Sequence, residues 1–79
     1  VYFSIDLDVL DPSEFPGTGT PEAGGISFSE LMDGVMKVCK LNIVAADVCE
    51  LSPTYDASGR STVLACKLVR EILLALKSK

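Results

Sequence analysis

The sequence predicts an α/β fold on a parallel sheet, and three observations carry that reading. Two short runs of β-branched, aromatic and apolar residues, "VYFSIDL" and "NIVAADVC", each precede a longer stretch with apolar residues at helical spacing. The four segments alternate strand, helix, strand, helix, the order in which right-handed crossovers join parallel strands. Loops dense in Gly, Pro, Ser and Asp follow both strand-like runs, and open sheets of this class bind ligands outside the carboxyl ends of their strands.

Each element has its own signal. Residues 1–7 are apolar on both faces, which predicts a strand buried within the sheet. After the long loop, Ser27 and Glu30 stand at capping-box spacing, and Phe28, Leu31, Met32, Val35, Met36 and Cys39 recur every three or four residues, so a helix starts there, weakened by Gly34. Residues 42–49 read as a second buried strand, and "LSPTYDASGR" as a loop. From Ser61 to about Lys77, Leu64, Leu68, Ile72 and Leu76 trace one helical stripe flanked by Val69 and Leu73. Lys77 and Lys79 suit the negative end of that helix's dipole.

At 79 residues the chain is shorter than a typical domain, and one this small buries only about 60% of the surface it exposes when unfolded. It also opens at Val1 inside a strand pattern, so residues 1–79 are expected to be a fragment of something larger. The composition is that of a globular protein, 48% hydrophobic and 23% charged with net charge −4, with no low-complexity tract, no internal repeat and no sign of disorder. No apolar run reaches the roughly 20 residues that cross a bilayer, and no basic patch carries interleaved aromatics. Membrane and nucleic-acid partners are therefore not expected. The three cysteines form no C-x-x-C pair and lie in apolar segments, so Cys39, Cys49 and Cys66 are expected as buried reduced thiols in a cytoplasmic protein. The absence of histidine excludes a Ser-His or Cys-His nucleophile pair and a His-containing zinc site within these residues.

The chemistry concentrates in "SIDLDVLDPSEFPGTGTPEAGG". Residues two apart in a strand face the same way, which predicts Asp6 and Asp8 on one side with Cβ atoms roughly 6.6 to 7 Å apart. Two adjacent carboxylates repel, and a cation between them relieves the repulsion. Oxygen ligands of this kind suit Mg, Ca or Mn. Solvated acids at a strand end would explain the same residues, and D-x-D occurs also in glycosyltransferases holding a metal-bound nucleotide. Asp11, before Pro12, reads better as a turn initiator. The segment does not fit an EF-hand loop, a dinucleotide fingerprint or a P-loop. Two carboxylates supply four oxygens where a pair of hard cations wants about ten to twelve coordination places, so further ligands would come from outside these residues.

Taken together, "SIDLDVLDP", "PGTGTPEAGG" and, one helix later, "ADVCELSP" resemble the carboxyl-terminal part of the ureohydrolase superfamily of arginases and agmatinases, with "PGTGTPE" and "ELSPTYD" most like the agmatinases, which implies that residues 1–79 are a carboxyl-terminal fragment of a single ureohydrolase domain. The resemblance implies a three-layer αβα fold with a binuclear manganese centre at the carboxyl ends of the strands. It implies that Asp6 bridges two manganese ions, that Asp8 binds one, that Glu50 accepts the substrate guanidinium and that Thr20 helps hold Glu50. It gives the glycines of the loop, Gly17, Gly19, Gly24 and Gly25, a place near the ligand. The implied reaction is hydrolysis of a small cationic guanidino substrate by metal-activated water, agmatine yielding putrescine and urea, with arginine or guanidinobutyrate as rival substrates. A truncated, non-catalytic metal-binding fragment is the alternative of a different class. The family's histidine ligands, further aspartates and histidine proton shuttle have no counterpart here, so these residues alone are expected to be inactive. The full-length protein is expected to be a homo-oligomer.

Overall fold

A computed structural model describes all residues 1–79. Its elements follow the predicted order: β1 (Tyr2–Asp6), α1 (Phe28–Val38), β2 (Ala45–Cys49) and α2 (Arg60–Lys77), with single 3-10 turns at Leu7–Val9 and Pro53–Tyr55. The two strands pair in parallel, Tyr2 opposite Ala45 through Asp6 opposite Cys49, so both end at the same edge of the sheet.

Helix α1 begins where the capping-box spacing places it. Ser27 Oγ accepts from the Glu30 N–H at 3.1 Å, and Glu30 Oε1 accepts from the Ser27 N–H at 3.0 Å. Glu14 adds a partner the sequence did not announce, its Oε2 accepting from the Phe28 N–H at 2.9 Å. Helix α2 begins after Gly59, which has a left-handed φ of 77°, and Asp56 Oδ2 takes the Ser61 N–H at 2.8 Å.

The core joins Ile5, Leu7, Leu10, Phe15, Val35, Cys39, Ala65, Leu68 and Ile72. Two of its members matter for the site. Leu7 is fully buried and pulls the chain out of β1 into the first 3-10 turn, while Phe15 is fully buried and pins the long loop to the body of the molecule. At the start of that loop, Asp11 accepts from the N–H groups of Ser13 and Gly24, each at 3.0 Å, the turn role expected of it.

Several expectations are corrected. The strands are only partly buried: Ile5 joins the core, but Tyr2 is 62% exposed, and Ser4, Ala45 and Ala46 are open to solvent, because only two strands are present. On α2, Val69 and Leu73 face out rather than joining the covered stripe. Cys39 is buried as expected, but Cys49 and Cys66 are exposed.

Candidate functional site

The carboxyl edge of the sheet gathers the acidic residues. Pairing of Asp6 with Cys49 sets Glu50 one residue beyond the partner of Asp6, and Asp8 follows on the 3-10 turn. None of these three carboxylates has an ion-pair partner; the molecule's salt bridges are Lys37–Asp33 and Arg70–Glu71, both within helices.

The geometry of the aspartate pair differs from the strand argument. β1 stops at Asp6, so the two-residue alternation does not reach Asp8. Instead, Asp6 Oδ1 accepts from the Asp8 N–H at 3.0 Å and caps the turn that presents Asp8. The two residues are thus coupled through a side-chain cap rather than by sharing a strand face. Asp8 Oδ2 accepts from the Thr20 hydroxyl at 2.7 Å. The Thr20 hydroxyl thus lies on Asp8, whereas the resemblance implied a part for Thr20 in holding Glu50.

Glu50 is exposed and makes no side-chain hydrogen bond, yet its backbone is singular. It is the one non-glycine residue with positive φ, at 78°. A glutamate in that region costs about 1 to 3 kcal/mol, and such strain persists where surrounding structure and function hold it. Beside it, the Cys49 thiol donates to the Ile5 carbonyl at 3.4 Å. Its pKa is raised, first by desolvation around the sulfur and then by the Asp6, Asp47 and Glu50 carboxylates, even though the residue as a whole is exposed; the group stays a thiol.

As a donor set, Asp6 and Asp8 fit a hard or borderline divalent cation in part. Each spends one carboxylate oxygen on a hydrogen bond within the chain, leaving Asp6 Oδ2 and Asp8 Oδ1 without a protein donor. No group of three or more His, Cys, Asp or Glu side chains converges to complete a metal site.

The glycines of the loop divide. A Cβ on Gly17 would come 2.7 Å from Ser61 Cβ, and one on Gly25 would come 2.6 Å from the backbone of residues 9–11. Those two allow the chain to pack on itself rather than approach a ligand, whereas Gly19 has ordinary room. Sequence reasoning missed Phe15, Glu14 and Ser61 as the residues that hold the loop. A buried phenylalanine inside a Pro-Gly loop was the readable signal; for Ser61 there was none.

Three comparisons bear on what this edge does. The model of the arginase family matches residues 1–75. An agmatinase from Bacillus cereus is 51% identical over 76 residues, which are 94% of this chain and 26% of that protein. The mitochondrial guanidino acid hydrolase of Homo sapiens is 43% identical over 76 residues, covering 96% of this chain and 22% of that protein. The solved structure of proclavaminate amidino hydrolase from Streptomyces clavuligerus superposes with a TM-score of 0.90 at 42% identity, over 96% of this chain and 25% of that one. The chain therefore spans about a quarter of the length of the curated relatives it matches.

Proposed function

The chain belongs to the arginase family, and on that premise we propose that residues 1–79 form the carboxyl-terminal part of a ureohydrolase domain with its arginase-like three-layer αβα sheet, acting on agmatine to yield putrescine and urea. The observation that supports the reading most is the sheet end that carries Asp6, Asp8 and the strained Glu50, none of them paired with a basic side chain. Asp6 and Asp8 are the residues that would hold manganese, with the other ligands supplied by parts of the domain outside these residues. When bound, two such ions supply a nucleophilic water near neutral pH.

The residues themselves do the positioning. Thr20 fixes the rotamer of Asp8 through its hydroxyl, so one Asp8 oxygen faces away from the loop. The Asp6 cap does the same for Asp6 and sets the turn between them. Glu50 accepts the guanidinium in a charge-assisted pair, and its left-handed backbone turns the side chain out of the strand direction at the end of β2. Agmatine is favoured over arginine by the likeness of "PGTGTPE" and "ELSPTYD" to agmatinases and by the 51% identity to an agmatinase. The 43% identity to a guanidino acid hydrolase supports 4-guanidinobutyrate as the second candidate.

The test is urea release by the full-length protein with manganese, comparing agmatine, arginine and 4-guanidinobutyrate. Agmatine is expected to give the highest kcat/KM, and chelation of the metal to abolish turnover. Absence of urea from all three substrates overturns the reading.

A further inference from the structure

The loop after β1 and the loop after β2 meet at one backbone residue. Gly17 is buried, and both of its peptide groups are used: its N–H donates to Ser61 Oγ at 2.9 Å, and its carbonyl accepts from the Ser52 N–H at 2.6 Å. Ser61, in the first turn of α2, is fully buried. Its own N–H donates to Asp56 Oδ2 at 2.8 Å, and Asp56 Oδ1 accepts from the Ser58 N–H and hydroxyl. The fit leaves no room for a side chain, since a Cβ on Gly17 would stand 2.7 Å from Ser61 Cβ.

The clamp joins the two chain segments that carry the site. Ser52 lies two residues after Glu50, and Gly17 lies three residues before Thr20, whose hydroxyl holds Asp8. We propose that Ser61, buttressed by Asp56, is a positioning residue: through Gly17 it sets the separation between Glu50 and the Asp8–Thr20 pair, and so the placement of the bound guanidinium against the metal-binding carboxylates. This deepens the function argued above and rests on it for the role of Glu50. The physical warrant is that a buried N–H deprived of its acceptor is costly, so the loop moves to find another partner when the Ser61 hydroxyl is removed.

The experiment uses the full-length protein with three substitutions. Ser61→Ala removes the acceptor without adding bulk and keeps a good helix former in α2. Ser61→Thr keeps the hydroxyl, and Gly17→Ala keeps the N–H but forces the segments apart. Amide hydrogen exchange, which needs no activity, is expected to quicken at Gly17, Thr20 and Ser52 in Ser61→Ala and Gly17→Ala, with protection of α2 beyond its first turn unchanged. Unchanged exchange at Thr20 and Ser52 overturns the clamp, and loss of protection throughout α2 in Ser61→Ala overturns it too, by making the role purely structural. In the urea assay, KM for the guanidino substrate is expected to rise about tenfold in Ser61→Ala, equivalent to about 1.4 kcal/mol. The fall in kcat is expected to be smaller, because Glu50 holds the cation in ground and transition states alike. Ser61→Thr restores KM. An unaltered KM in folded Ser61→Ala, or a folded Ser61→Thr that behaves like Ser61→Ala, overturns the positioning role. If the unsubstituted protein releases no urea from any guanidino substrate, the proposed function falls while the exchange data still judge the clamp.

Discussion

At the scale of single residues, the informative positions are those where local preference is overruled. Glu50 adopts a backbone region suited to glycine, and nothing in its hydrogen bonding repays that. Glu50→Gly is therefore expected to raise the stability of the full-length protein by up to about 1 kcal/mol, after the flexibility cost of glycine is set against the relieved strain. Glu50→Ala keeps the strain and gains nothing. Both substitutions are expected to raise KM about ten- to a hundredfold through loss of a charge-assisted bond. Denaturant melts alongside steady-state kinetics separate the two effects, and equal stability of Glu50→Gly and Glu50→Ala contradicts the strain argument. Asp6 shows a second kind of overruling. Its side chain caps the turn that ends its own strand, so its role is set by the Asp8 N–H rather than by strand alternation.

At the scale of elements, caps decide where helices begin and how they respond to acid. The Ser27–Glu30 capping box was legible because both partners are close in sequence, and Ser27→Ala is expected to cost about 1 kcal/mol of stability. The Glu30 carboxyl is held below its ordinary range, first by the Ser27 N–H and then by the Ser27 hydroxyl. Asp56 is held far below the usual carboxylate range, first by the Ser58 hydroxyl and next by Ser61. Both folded values are depressed, so each group contributes stability that is fully present above its unfolded pKa, about 4 for carboxylates, and is lost as pH falls through the folded value. The expected order on acidification is set by those depths. The first turn of α1 loosens at a higher pH than the start of α2, because Asp56 is held lower than Glu30. Amide exchange read separately in the two helix starts between about pH 5 and pH 2 checks this, and simultaneous loosening of both counts against it. The start of α2 was harder to read in the sequence, because Gly59 and Asp56 act across a turn rather than at a fixed capping spacing.

At the scale of the whole molecule, the exposed surface shows how much of the fold lies in contacts these residues do not make. Val44, Val63, Leu73 and Leu74 are each more than half exposed, and a two-stranded sheet leaves backbone edges open on both sides. The isolated 79-residue chain is expected to self-associate, to bind a hydrophobic dye and to release no urea from agmatine, since no group of three or more metal-binding side chains forms within it. A monodisperse monomer with a cooperative melt, or turnover by the isolated chain, overturns that expectation. The element order, the parallel alternation, the capping box of α1 and the acidic edge were all determined by the sequence alone, because each rests on periodicity or on residues only a few positions apart. Tertiary structure alone decided that Asp6 and Asp8 meet through a cap, that Thr20 serves Asp8, that Phe15 anchors the loop, and that Gly17 is gripped by Ser52 and Ser61. Those contacts join residues up to 44 positions apart, and their partners are selected by which surfaces the packed helices and the paired strands bring together, a three-dimensional constraint that no local spacing encodes.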